Sequence, residues 1–127
     1  AKEIYVPLKE IISVHKDDTI ETLKKMTIET GHSRYPVYDE KKEDIIGIVH
    51  IKDALLQANT TQIHNIMRDL LTIKPGTRLD TIFRKMQRQK VHMAVIIDNN
   101  GKYLGIVTLE DLLEEIFGEI IDEHDLI

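Results

Sequence analysis

The chain has 127 residues, 31% of them charged and 5% aromatic, with a formal charge of −5. That length suits one compact domain or two small repeats sharing a core, and the acidic balance excludes a nucleic-acid surface, which needs clustered Lys and Arg. The absence of Cys excludes disulfides and thiolate metal sites.

Reading from the N-terminus, Ile11-Ile12-Ser13-Val14 is a short apolar run. Lys16-Asp17-Asp18-Thr19 supplies turn and cap residues ahead of Ile20, Leu23 and Met26 at helical spacing, and Gly31 ends that helix. Arg34 to Tyr38 reads as a strand in which Pro36 predicts an edge or an interrupted ladder. A charged hairpin loop, Asp39 to Asp44, leads to an apolar strand, Ile45 to Val49, and a helix over Ile51 to Ala58. Asn59 to Arg68 is polar, with a short helix over Ile63, Ile66 and Met67. Leu79, Ile82, Phe83 and Met86 then fall at i, i+3, i+4 and i+7, an amphipathic helix. Met93 to Ile97 and Tyr103 to Val107 are β-rich, joined by Asp98-Asn99-Asn100-Gly101, residues that tolerate positive φ in a hairpin. No stretch approaches 18 apolar residues, and no signal peptide is visible. The start at Ala1 without a methionine and the apolar end at Ile127 read as a fragment of a longer protein, with a membrane span lying outside it.

These elements repeat. Gly47-Ile48-Val49-His50-Ile51-Lys52-Asp53 returns as Gly105-Ile106-Val107-Thr108-Leu109-Glu110-Asp111. The offset is constant upstream (98 − 39 = 59) and drops by one before the glycine (105 − 47 = 58). The expected fold class is therefore α+β, two βαββα repeats packed with pseudo-two-fold symmetry. Repeat 1 with an N-terminal lead-in spans 1–58, a linker spans 59–69, and repeat 2 with an acidic C-terminal helix spans 70–127. Clefts formed by such packing are where small ligands bind.

Thr108-Leu109-Glu110-Asp111 sits where a strand ends and a helix begins. It reads as an ordinary helix start, with Thr108 at the N-cap and Asp111 in the first turn. The same geometry admits a second reading, a nucleotide grip. The hydroxyl and free amides would meet phosphate, while a carboxylate one turn in would take a ribose diol. Repeat 1 offers His50 and Asp53 at these places, the histidine being a weaker, pH-sensitive donor. Gly31-His32-Ser33-Arg34-Tyr35-Pro36 opens the preceding strand. Arg34 is either a surface residue paired with an acid or a fork for phosphate, with Ser33 adding a hydroxyl. Repeat 2 has Val91-His92-Met93 there and no Arg, an asymmetry that suits one good site better than two.

The combination Gly31 to Val37 with Gly-h-h-x-h-x-Asp in both repeats resembles a tandem CBS-domain pair, or Bateman module. The tail from Val107 to Ile116, followed by Gly118-Glu119-Ile120 and Asp122-Glu123-His124-Asp125, is similar to that of the CorC/HlyC/TlyC hemolysin-like proteins and their CNNM relatives in magnesium and cobalt efflux. The resemblance implies a regulatory adenine-nucleotide-binding module, with ATP or AMP as ligand and Mg²⁺ accompanying the phosphates. It implies a homodimer, a cytosolic setting, and a transmembrane domain elsewhere in the parent chain, with no direct membrane insertion. Carried over, Thr108 would contact phosphate, Asp111 the ribose, and Ser33 and Arg34 the phosphate side; Tyr35, His50, Asp53 and His92 complete the candidate contacts. The alternative is a structural dimerisation module with a vestigial ligand cleft.

From Glu110 to Asp125 there are eight acids and no Lys or Arg, beside an apolar stripe of Leu109, Leu112, Leu113, Ile116, Phe117, Ile120 and Ile121. This reads as an amphipathic helix with a solvated acidic face; a dimer seam, a docking site or a weak cation surface are its functional versions. The six histidines show no ligand spacing, so no metal site is expected. With no Gly-x-Ser-x-Gly, Cys nucleophile or P-loop, no enzyme is expected either.

Overall fold

The computed structural model describes residues 6–7 and 11–124. The chain divides into two compact units, one of Ile12–Leu70 and one of Leu71–Ile127 with the N-terminal residues to Ile11.

In the unit Ile12–Leu70, strand β2 (Val14–His15) leads into helix α1 (Ile20–Thr30). Thr19 caps α1 by accepting from the Thr22 amide, and Gly31, at φ 75°, closes it in the left-handed region that glycine enters without cost. Strands β3 (Arg34–Tyr38) and β4 (Ile45–His50) form a hairpin, and the sheet order is β2-β3-β4. Pro36 therefore lies in the central strand, not at an edge. The position tolerates it because its partner Ile48 exchanges both backbone groups with Arg68 instead, at 2.7 and 3.1 Å. No ladder donor is asked of the proline on that side.

Helix α2 covers only Ile51–Ala54, shorter than the expected Ile51 to Ala58. The chain leaves it through a tight turn, and Leu56 is 98% exposed. The turn brings Asn59 and Thr61 back to accept from the Glu21 and Ile20 amides at the start of α1. Those orphan donors of a helix N-terminus are thus satisfied. The polar stretch read as a linker continues into a 3-10 turn at Ile63–Asn65, with Ile63 wholly buried among Val14, Ile20, Leu23, Tyr35, Val37, Val49 and Ala54. Residues 59–68 are consequently part of this unit, hydrogen-bonded to it along their length.

In the other unit, β5 (Thr72–Ile73), α3 (Leu79–Gln89), β6 (Met93–Ile97), β7 (Tyr103–Thr108) and α4 (Leu109–His124) repeat the order. Ile82 and Met86 of α3 are buried, as the amphipathic spacing predicts, against Leu71, Ile73, Ala94, Ile96, Val107 and Leu112. Both hairpins shift register at the same place, between Val37 and Tyr38 and between Ile96 and Ile97. The residue lost between repeats falls in the hairpin loop, which holds six residues after Tyr38 (45 − 38 − 1) and five after Ile97 (103 − 97 − 1). In the shorter loop Gly101 adopts φ 81°.

A further strand, β1 (Val6–Pro7), joins this second sheet, giving the order β1-β7-β6-β5. The lead-in assigned to repeat 1 by sequence thus belongs to the sheet of repeat 2, where Val6 stands opposite Ile106. Arg68 does the same for the first sheet, bridging to Ile48, the repeat equivalent of Ile106. Each sheet is extended by the segment that precedes the other repeat.

The apolar stripe of α4 divides in two. Leu112 is buried and Leu109 and Ile116 pack against the core, whereas Leu113, Phe117 and Ile120 are exposed. The side chains of Glu119, Ile121, Asp122, Glu123 and His124, and all of Asp125, lie outside what is described.

Candidate functional site

The candidate residues gather at the same end of each hairpin, where its second strand gives way to a helix. In the unit of repeat 2, β7 ends at Thr108, paired across the hairpin with Met93. The Thr108 Oγ1 accepts from the Asp111 amide at 3.2 Å, and the Leu109 amide donates to the His92 carbonyl at 2.8 Å. These two bonds fix the first turn of α4. They leave the Thr108 hydroxyl proton free to donate to an oxygen. Asp111 is half-buried, and its carboxylate makes no hydrogen bond or ion pair with any of the described residues. A carboxylate at the start of a helix is favoured there by the helix dipole, and none of its acceptor sites is taken up by the described residues. His92 contributes mainly through its backbone; its exposed ring lies 3.7 Å from Glu110 Oε1.

The unit of repeat 1 has the same backbone frame and different chemistry. The Ile51 amide donates to the Ser33 carbonyl at 2.8 Å, matching the bond from Leu109 to His92. His50 replaces Thr108 as the cap, its Nδ1 accepting from the Lys52 amide at 3.0 Å. An accepting Nδ1 requires the neutral ring with its proton on Nε2. Burial, and then the Arg34, Arg68 and Lys52 cations, hold the His50 pKa below its ordinary value, which favours that form. Arg34 stands opposite His50 across the hairpin, half-buried, and forms no ion pair among the described residues. Ser33 is exposed beside it.

Asp53 differs sharply from Asp111. Arg68 Nε donates to its Oδ2 at 2.7 Å and Nη2 to its Oδ1 at 2.9 Å, a two-point fork. The Arg68 hydrogen bond is the main reason its carboxyl titrates below the usual carboxylate range. Sequence reasoning missed Arg68, which sat in the presumed linker. The available signal was positional: the segment ahead of each repeat pairs with a sheet, as a strand at Val6–Pro7 and as a single bridge at Arg68, and only one of the two brings a guanidinium.

Tyr35 corrects another expectation. Its ring is 0% exposed, and its hydroxyl is shared between Thr30 Oγ1 at 2.7 Å and the His32 carbonyl at 3.1 Å. On an alternating strand, Arg34 and Tyr35 face opposite ways, and Tyr35 takes the core side. It is a packing residue and offers no side-chain atom to a ligand.

Among the described residues, no group of three or more His, Asp or Glu is arranged to hold a metal ion, and no helix is long and apolar enough to cross a membrane.

The CBS domain family model matches residues 1–58 and 63–118. Among curated proteins, a UPF0053 protein of Mycobacterium tuberculosis is 38% identical over 132 residues, covering 98% of this chain and 30% of that protein. The magnesium and cobalt efflux protein CorC of Escherichia coli K12 is 34% identical over 128 residues, covering 98% of this chain and 44% of CorC. The chain thus spans less than half the length of these relatives. Among solved structures, the CBS domain of the bacterial CNNM/CorC family Mg²⁺ transporter in complex with ATP superposes with a TM-score of 0.84 at 31% identity, covering 91% of this chain and 84% of that one. A CBS-domain-containing hemolysin-like protein of Oenococcus oeni gives 0.83 at 30% identity, covering 90% and 87%.

Proposed function

The chain belongs to the CBS-domain family as a tandem pair resembling those of CorC and CNNM proteins, and from that premise we propose that it is a regulatory module that binds an adenine nucleotide. The observation that carries this reading is the state of Asp111. A half-buried carboxylate without a partner among the described residues, one turn into α4, stands beside a hydroxyl whose proton is uncommitted there. An ionised carboxylate accepts from two neighbouring hydroxyls, which is the chemistry a ribose diol asks for. The Thr108 hydroxyl, at the amino end of the helix, suits the phosphate. In the other unit, Arg34 and Ser33 are the groups chemically suited to phosphate oxygens, Arg34 being a charged fork without a partner acid among the described residues. The ATP complex of a solved relative supports ATP as the nucleotide. Where Mg²⁺ accompanies the ligand, its phosphates would be the principal ligands, as is usual for that ion.

The module is regulatory and not catalytic in this reading, which the match to the CBS domain family and the likeness to a transporter's CBS domain support. It belongs to the cytosolic part of a membrane protein concerned with magnesium or cobalt, as the names of the longer relatives suggest. The exposed stripe of Leu113, Phe117 and Ile120 supports a homodimer contact. Nucleotide binding acts by population shift: it favours the arrangement of the parent protein to which it binds more tightly, by no more than that difference in affinity.

Calorimetric titration with ATP and with AMP, with and without Mg²⁺, tests the proposal. Binding should be saturable and lost in Asp111→Ala. Undiminished affinity in that variant would remove the basis of the reading; a stable dimer that binds no nucleotide would point to the structural role instead.

A further inference from the structure

We propose that Arg68 is a built-in occupant of the repeat 1 carboxylate, holding Asp53 in a two-point ion pair and so restricting each chain to a single nucleotide at Thr108 and Asp111. The inference rests on the nucleotide reading above and adds to it a stoichiometry and the residue that sets it.

Three observations meet here. The first is the fork itself, with both Asp53 oxygens engaged at 2.7 and 2.9 Å. The second is how firmly Arg68 is placed. Its amide and carbonyl are tied to Ile48 at 2.7 and 3.1 Å. The close approach is possible because residue 47 is glycine: a Cβ there would lie 2.9 Å from the Arg68 carbonyl oxygen. The third is the contrast between repeats. Asp53 and Asp111 are equivalent (111 − 53 = 58), as are Ile48 and Ile106 (106 − 48 = 58). Arg68 bridges to Ile48, and the residue opposite Ile106 is Val6, an aliphatic residue that carries no charge. One repeat therefore brings a guanidinium to its carboxylate, and the other brings none from that position.

A ribose diol would have to replace this arrangement with neutral hydroxyl bonds, which are weaker than charge-assisted ones. It would also compete as a free ligand against a group already held in place by its own backbone, which has the advantage of effective concentration. The pair is a bidentate fork on a half-exposed surface, the geometry in which an ion pair between exposed side chains is worth most.

The experiment is calorimetric titration of the full chain with ATP, with folding checked by circular dichroism. The unsubstituted protein should bind one ATP per chain. Arg68→Met should raise the stoichiometry to two, and Asp53→Asn added to Arg68→Met should return it to one. A salt bridge with a purely structural role would leave these numbers at one throughout. Arg68→Gln, which keeps a polar side chain but is shorter and uncharged, provides a second variant should Arg68→Met fold poorly. Two ATP per chain in the unsubstituted protein, or one in both Arg68 variants, would overturn the inference and leave the nucleotide reading standing. No binding in the unsubstituted protein would overturn both.

Discussion

Replacing Gly47 by alanine adds one methyl group at the point where the first sheet meets its extra segment. Gly47 is buried in β4 opposite Val37, and the new Cβ would lie 2.9 Å from the Arg68 carbonyl oxygen, 3.0 Å from Met67 Sδ and 3.3 Å from Met67 Cγ. The methionine can swing away, since its side chain is flexible. The carbonyl cannot, because the Arg68 backbone is tied to Ile48 by two hydrogen bonds. Forcing a group into such packing costs about 1–3 kcal/mol, and a weakened backbone bond costs about 1 kcal/mol of that. Against it, alanine restricts the unfolded chain, a gain of about 0.4–1 kcal/mol. The steric term wins, leaving a loss of about 1–2 kcal/mol. At about 4–8 °C per kcal/mol for a small domain, the thermal midpoint should fall by roughly 5–15 °C. Melting followed by circular dichroism and by calorimetry reads this directly. A midpoint within about 2 °C of the unsubstituted protein would refute the claim that Arg68 is held rigidly.

Two further substitutions probe the same unit. Tyr35→Phe keeps the buried ring but removes the partner of Thr30 Oγ1 and the His32 carbonyl, so urea unfolding should show a loss of about 1–3 kcal/mol; an unchanged midpoint would mean the hydroxyl bonds are dispensable. His50 has its folded-state pKa held below the ordinary 6.5, so between those two values the unfolded chain binds the proton more readily. Stability should therefore be full above the ordinary value and decline as pH falls from there through the folded-state pKa. His50→Thr, which copies repeat 2, should flatten that part of a plot of urea midpoint against pH; an unaltered slope would show that other groups carry it.

Much of this fold was legible because its local signals agree with one another. Thr19 and Gly31 bracket α1 as cap and terminator, and the i, i+3, i+4, i+7 spacing of Leu79 to Met86 places α3 correctly. The short α2 was not legible. Leu55, Leu56 and Ala58 continue a helical composition, and what stops the helix is the return of Asn59 and Thr61 to the amides of α1, a tertiary contact. Pro36 left an edge or an interrupted ladder open, and the ladder is the one interrupted: its partner Ile48 bonds to Arg68, a contact the local sequence does not show. At the candidate site, the frame was legible from the repeat: Thr108 and His50 both cap, and both following helices begin where expected. The difference between Asp53 and Asp111 was not, because equivalent residues in a repeat look alike until a third residue from outside the motif meets one of them. Tyr35 was misassigned by following the motif rather than the two-residue period of its strand.

The two extra edge segments impose an order of assembly. Ile48 and Arg68 are 20 residues apart (68 − 48), so the first sheet can complete itself from nearby chain. Val6 and Ile106 are 100 residues apart (106 − 6), and β1 has no partner in its own sheet until β7 has been made. Loop closure over such a distance is slow. During synthesis the unit Ile12–Leu70 can therefore be native while β1 still waits. A polypeptide shortened past Pro7 would leave β7 with an open hydrogen-bonding rim, the feature that recruits strands from other molecules and seeds aggregation.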